Sequence, residues 1–394
     1  MIRGDLLCGG RPAAYGNILI YIKGKSCCSG TNTRAVIFIF PPAHFLLVYV
    51  YKSKGVTFMD KKLLALYSLT HFWVDLSCAL LVFRTMAGGA DFALCLLLYN
   101  FCAFALQMPL GLLADRLDRN GAVSAAGCVL TALACLLPGP VPAAVTAGVG
   151  NALFHLGGGI DVLNRSRERA WALGVFVSPG ALGLFLGTLW GKGTAPALWL
   201  APAGLLLLGG GILWLCRRTF GTLRSGNAPI ELESSGGYAI LLPLFLVVVL
   251  RSYMGMNQAF PWKGEWALFL TLALVLGKTA GGFAMDRLGA ERASAVSLGL
   301  AAALYLASAL PLPGVLAVFL FNMTMPVTLW AAARAVPGAK GFTFGLLTFA
   351  LFLGFLPSWL GWPSLLRGPA SYAVMAAVSL LLLRLPLRKE AAGC

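Results

Sequence analysis

Charge is what this sequence has least of. Of its 394 residues 11% are Asp, Glu, Lys or Arg, and only 14 are acidic, where soluble globular domains carry about 25% charged residues. With 59% hydrophobic residues and a mean hydropathy of +0.83, the composition excludes an ordinary soluble domain. The chemical motifs of enzymes are missing too. No P-loop lysine motif, zinc-binding His-Glu pair, nucleophile elbow or paired catalytic carboxylate occurs, and the loops are too short to hold a soluble catalytic domain. An enzyme and an ATP-driven pump are therefore disfavoured, and no cofactor is expected. The ten cysteines follow no zinc or disulfide spacing. Cys78, Cys95, Cys102, Cys128 and Cys135 lie inside apolar runs and read as small packing residues, so no metal site is expected.

The first 58 residues differ in character from the rest. They mix Gly, Lys, Ser and Cys around one apolar run, Ala35 to Tyr51, which Pro41 and Pro42 interrupt. That run is too short and broken for a span of about 20 apolar residues, and it starts too late for a secretory signal. At Met59 a short charged start, Asp60-Lys61-Lys62, leads directly into a long apolar segment. Lys54, Gly55 and Val56 can be encoded by a purine-rich stretch resembling a bacterial ribosome-binding site. Residues 1–58 are thus expected to be a non-native or disordered extension.

Twelve apolar segments follow: 63–85, 92–113, 121–138, 141–163, 171–191, 195–216, 237–256, 265–285, 293–311, 314–335, 342–362 and 370–386. Each approaches the length that crosses a hydrocarbon core of about 30 Å. The formal charge of +16 resolves into clusters between them. If the Met59 end is cytoplasmic, the loops on that side hold 17 Lys and Arg against 4 (Arg84, Lys192, Lys263 and Arg367) on the other. By the positive-inside rule both termini are then cytoplasmic, and nucleic acid is not needed as a partner. Trp190, Trp199, Trp262, Trp266, Trp359 and Trp362 all fall near the outer surface of this arrangement, where amphipathic rings collect.

One offset recurs along the chain. Gly111, Asp115, Arg116 and Leu117 return 171 residues later as Gly282, Asp286, Arg287 and Leu288, and the same shift carries Asn151 to Asn322, Gly174 to Gly345 and Gly183 to Gly354. Two duplicated six-helix bundles are expected, residues 59–216 and 237–389, joined by a polar linker at 217–236 and followed by a tail at 390–394. The motif Gly-x-x-x-Asp-Arg, present twice between the second and third segment of each half, resembles the signature loop of the major facilitator superfamily. The resemblance covers nearly everything after Met59. It implies an all-α integral membrane protein of twelve transmembrane helices, a central cavity lined by the first, fourth, seventh and tenth, and alternating access by rocking of the halves. It also implies that the carboxylate and arginine of each loop latch the halves on the cytoplasmic side. A solvated, orienting turn is the competing reading.

A narrower likeness rests on His71-Phe72-x-x-Asp75, on Gly148-x-Gly150-Asn151-Ala152-Leu153-Phe154-His155, and on Phe176-x-x-x-Gly180-x-x-Gly183-x-x-x-Gly187. These resemble the fosmidomycin-resistance branch. The chain departs from that branch at Leu156-Gly157-Gly158, Ser178-Pro179 and Thr188, and its drug substrate does not carry over.

Titratable groups at bilayer depth are costly and need a reason. After Met59 only two histidines occur, His71 and His155, and both are intramembrane. Asp75 follows His71 by one helical turn, so the two share a face. Histidine's unperturbed pKa near 6.5 suits reversible protonation. His71, Asp75 and His155 are the proton-coupling candidates; a buried pair that only fixes helix packing is the alternative. Arg251, with Tyr253 nearby, and the duplicated Asn151 and Asn322 are the substrate-binding candidates, although Arg251 could also snorkel. Lys278 reads as packing or snorkelling toward the cytoplasmic surface. Gly111, Asp115, Arg116, Gly282, Asp286 and Arg287 are the gating candidates.

The function this predicts is a secondary active transporter in a bacterial-type cytoplasmic membrane, working as a monomer. It would export a small organic solute or drug in exchange for protons. Proton-coupled uptake and a non-transporting sensor of the same fold remain open alternatives. For the first 58 residues the expected outcome is direct: mass spectrometry of the native protein finds Met59 at the N-terminus. Peptides from residues 1–58 would contradict it.

Overall fold

The computed structural model describes residues 18–25, 32–40, 45–52, 60–166, 169–193, 198–228, 235–362 and 367–392. The chain separates into two units, Met1–Phe58 and Met59–Cys394. Met59 and Arg167, and part of the linker, lie outside the described residues. In the first unit β1 (Ile18–Lys25), β2 (Asn32–Phe40) and β3 (Phe45–Lys52) form an antiparallel sheet in that order, with Ile18 opposite Ile39 and Phe40 opposite Phe45. The apolar run around Pro41 and Pro42 thus divides into two paired strands. Proline has no N–H to give a ladder, and β2 ends before it.

In the second unit every expected span is a helical rod. The rods are α1 (Lys61–Met86), α2 (Phe92–Leu117), α3 (Asn120–Ala134), α4 (Pro140–Arg165), α5 (Trp171–Lys192), α6 (Leu200–Phe220), α7 (Ser235–Asn257), α8 (Ala267–Leu288), α9 (Ala290–Leu306), α10 (Pro311–Ala335), α11 (Lys340–Trp359) and α12 (Pro369–Ala392). Among the described residues nine are long and apolar enough to cross a bilayer. The other three are α3, α4 and α9. At 15 and 17 residues α3 and α9 are short, and they are the equivalent third helices of the two halves. The long α4 is made polar by Asn151, His155 and Asp161.

The halves pack by the same plan. In the first, α1 lies on α5, α3 on α6 and α2 on α4; in the second, α7 lies on α11, α9 on α12 and α8 on α10. The α1–α5 contact is set by glycine. A Cβ on Gly183 or Gly187 would stand 2.1 or 2.3 Å from the carbonyl oxygen of Phe72 or Leu76, so the backbones touch without intervening side chains, as small residues permit inside a membrane. Across the halves α2 and α5 make the most extensive contacts, with α11 and α8 respectively, and α4 also touches α11 and α5 touches α10.

Those cross-half contacts are closed by two carboxylates. Asp115, near the end of α2 and buried, accepts the backbone N–H groups of Gly341 (2.8 Å) and Phe342 (3.0 Å) at the start of α11. Asp286, near the end of α8, accepts those of Ala170 (2.7 Å) and Trp171 (3.2 Å) at the start of α5. Each aspartate thereby supplies the N-terminal cap that its neighbour in the other half lacks. Shift the first set by 171 and the second appears: Asp115 becomes Asp286, Ala170 becomes Gly341, Trp171 becomes Phe342. Gly111 and Gly282 let the chains approach, since a Cβ on either would meet the backbone oxygen of Gly341 (2.1 Å) or Ala170 (2.6 Å). After each loop one residue takes positive φ, Asp118 at 52° and Gly289 at 82°, which turns the chain from one rod into the next. The sequence reading gave Arg116 and Arg287 a share in this latch. Both side chains are exposed instead, because backbone N–H donors already satisfy the carboxylates.

The start of α1, the end of α6, the linker and the latch loops share one end of the unit. Thr219 donates to Asp60 (3.4 Å), Ser225 N–H to the Asp118 carbonyl (3.0 Å), and Asn227 bonds Asp118, Asn120 and Asn164. Removing the buried cap should loosen this end. Asp115→Ala is expected to cost the closed latch about 1 to 2 kcal/mol, raising amide hydrogen exchange at residues 341–344 about tenfold. Asp286→Ala, at the exposed cap, should do less.

Candidate functional site

The site grows out of a break in α5. Its first segment ends at Val177 and the second begins at Pro179, because proline has no N–H to continue the ladder. A helix end leaves its last four carbonyls without partners, and here each finds a side chain. Gly174 accepts Ser178 Oγ, Val175 accepts Ser68 Oγ (3.4 Å), Phe176 accepts His71 Nδ1 (2.7 Å) and Val177 accepts Lys278 Nζ (3.3 Å). The Ser178-Pro179 pair therefore aims both His71 on α1 and Lys278 on α8.

His155, on α4, is fixed in the same manner. Its Nδ1 lies 2.8 Å from the Asn151 carbonyl one turn earlier. A carbonyl can only accept, so both Nδ1 atoms carry hydrogen, and both rings present Nε2 to each other at 2.9 Å. Two bare lone pairs at that distance repel, and so do two N–H groups. One proton between the rings satisfies both. Asp75 supplies the counter-charge, its Oδ2 3.3 Å from His71 Nε2 and its Oδ1 3.8 Å from His155 Nε2. Asn151 donates to Asp75 Oδ1 (3.0 Å) and lies 3.4 Å from the Tyr99 hydroxyl.

Among the described residues these three are the one group with donors placed for a metal, all within 4.8 Å of one another. A tetrahedral ion with bonds of about 2.1 Å would hold the two nitrogens about 3.4 Å apart, so the rings would have to separate. A proton fits them where they stand. Space is tight on the α5 side too. A Cβ on Gly180 would lie 2.2 Å from His71 Nε2 and 2.3 Å from Asp75 Oδ2.

The second half presents different chemistry. Arg251 on α7 is buried and donates to Thr324 Oγ1 (2.8 Å) and Thr328 Oγ1 (3.5 Å) on α10. It points inward, so snorkelling does not describe it. Of the two sequence readings of Lys278, packing and snorkelling, the structure has the first: Val177 holds it across the interface, between the halves. Tyr253 lies two residues beyond Arg251 and is partly buried, and Asn257 donates to Ser358 on α11 (3.0 Å).

The duplicated asparagines have separate fates. Asn151 belongs to the carboxylate, whereas Asn322 spends its amide on the Val318 carbonyl of its own helix (2.8 Å) and packs against Gly277. Sequence reasoning missed Tyr99, Thr324 and Thr328, and had Gly180 only as one glycine of a motif, without its place against His71 and Asp75. Only the Ser178-Pro179 break carried a signal for any of this, as a helix end in mid-membrane.

No protein-family model matches the sequence and no curated protein matches it. Solved structures do. The E. coli fucose:proton symporter FucP superposes with a TM-score of 0.59 at 13% identity, covering 82% of this chain and 98% of its own. The human organic anion transporter MFSD10 (TETRAN) gives 0.58 at 14%, covering 83% and 99%, and a bacterial homologue of the iron transporter ferroportin, in an outward-facing state, 0.53 at 15%, covering 83% and 98%. The chain has the fold of the major facilitator superfamily.

Gly180 offers the sharpest check on the site. Gly180→Ala is expected to push Asp75 away from His71 and abolish function, while Gly210→Ala, with nothing within 4 Å of the added Cβ, leaves it unchanged. Activity and thermal stability measured side by side separate the two.

Proposed function

We propose that this chain of major facilitator fold is a secondary active transporter, not an enzyme, which moves a small organic solute across the cytoplasmic membrane in exchange for protons. The observation that carries this reading is the 2.9 Å approach of His71 Nε2 to His155 Nε2, with both Nδ1 atoms already engaged by carbonyls, a geometry that one shared proton would satisfy. That proton joins α1 to α4, and the His71 bond to Phe176 brings in α5. Lost, it leaves two lone pairs opposed, and the three helices must shift. Protonation is thus tied to conformation at the place where the first half would have to move.

Asp75 on α1 faces the two Nε2 atoms; Asn151 on α4 donates to Asp75 and also meets Cys78 on α1 and Tyr99 on α2, the Phe176 carbonyl on α5 holds the Nδ1 side of His71, and Lys278 on α8 lies within electrostatic range. His71, Asp75 and His155 act as the proton carrier. Arg251, with Tyr253, forms the solute wall; Asn151 moves from solute to proton carrier, and Asn322 supports α10. Gly111, Asp115, Gly282 and Asp286 close the cytoplasmic side, with Arg116 and Arg287 orienting charges on its surface. The 17-to-4 distribution of Lys and Arg supports cytoplasmic termini. One chain contains every group of the site, which suits a monomer. Likeness to the fosmidomycin-resistance branch in α1, α4 and α5 favours export, while the same groups would serve uptake.

In proteoliposomes with an imposed pH gradient, wild-type flux is expected to follow the gradient. Asp75→Asn and His155→Gln should lose that dependence about tenfold or more; coupling unchanged in both would defeat the proton carrier. Ligand binding with no flux in the wild type would identify a sensor.

A further inference from the structure

Arg251 is a buried charge that the proton carrier does not use. Its side chain is 9% exposed, and no carboxylate pairs with it among the described residues. Its two partners are neutral. Thr324 and Thr328 each spend their own hydrogen on a backbone carbonyl, of Phe321 (2.9 Å) and Met325 (2.8 Å), and so can only accept from the guanidinium. Nε is buried with no partner among the described residues.

A guanidinium removed from water is retained when something compensates it, and one left unpaired is strongly destabilising. Asp75, the carboxylate of the first half, already answers the histidine proton. Lys278 is the other intramembrane cation and lies within electrostatic range of Arg251, adding to the positive charge. The unused Nε and the remaining hydrogens on the two terminal nitrogens form the planar fork that binds a carboxylate through two parallel bonds. One negative charge neutralises Arg251. A phosphate dianion would meet the lone pairs of two threonine hydroxyls with few further donors.

We propose that Arg251, positioned by Thr324 and Thr328, anchors a carboxylate of the transported solute, and that the substrate class is small organic monoanions. This rests on the reading of the chain as a transporter. It gives the halves separate tasks: the first carries the proton, the second holds the anion, and Lys278 stands electrostatically between them. Arg251 would then find its counter-charge only when solute is bound.

The test is equilibrium binding to the detergent-solubilised full chain, read by thermal shift in low chloride, with acetate and benzoate as probes and benzamide as the neutral match. Both anions are expected to raise the wild-type Tm saturably and benzamide not to. Arg251→Met should weaken benzoate at least about tenfold, and Arg251→Lys, which keeps the charge without the fork, should fall between. In the absence of any anion Arg251→Met should be no less stable than wild type, since it removes an uncompensated charge; a structural arginine would lower the Tm. The proposal is overturned if benzamide matches benzoate, if neither anion stabilises the wild type, or if benzoate binds the variants equally. Should Arg251→Met fail to fold, Arg251→Lys decides. Benzoate binding in a protein without proton-driven flux would count against the transporter reading alone. Proton-driven flux of neutral solutes without benzoate binding would count against the anion site alone.

Discussion

A helix end leaves backbone N–H or C=O groups without helical partners, groups that no water can satisfy where the end lies inside a bilayer, and this constraint shapes both the latch and the site. At the latch end α5 and α11 begin against the opposite half, and Asp115 and Asp286 reach across to cap them. At mid-membrane α5 stops and restarts, and its four freed carbonyls draw in Ser178, Ser68, His71 and Lys278. One kind of debt, incurred at two depths, ties the halves together and orients the rings that hold the proton.

The duplication has been kept where only backbone geometry matters and lost where chemistry does. Gly111 and Gly282, Asp115 and Asp286, Gly174 and Gly345 do the same work in both halves, because a cap or a close approach needs only a carboxylate or a missing Cβ. At the centre the copies part. The first half gathers two imidazoles and a carboxylate, whereas the second gathers a guanidinium and two hydroxyls. Asn151 and Asn322 mark the divergence: one serves a carboxylate on another helix, the other its own backbone. On the proposed reading, in which two ligands are coupled, there is reason to keep the latches symmetric and the sites distinct.

Much of this was legible in the sequence. Hydropathy gives twelve rods, the offset of 171 residues gives two bundles, and the doubled Gly-x-x-x-Asp-Arg marks where they meet. The histidines stood out because intramembrane titratable groups are rare, and the four-residue step from His71 to Asp75 put them on one face. Beyond that the sequence misled in places. Arg116 and Arg287 looked like latch partners, yet main-chain donors fill that role; for Lys278 packing and snorkelling were both open, and a carbonyl freed by Pro179 holds it between the halves.

The sequence by itself determined the spans, the halves and the charge asymmetry, since each depends on composition, period or repetition along one chain. The tertiary structure alone decided that His155 meets His71 nose to nose, that Gly180 must lack a side chain to admit them, and that Arg251 has only neutral partners. These facts concern distances between residues up to 109 positions apart, Gly180 and His71. No local pattern encodes them, because they are fixed by how glycine-lined rods settle against one another and by which broken helix needs which donor.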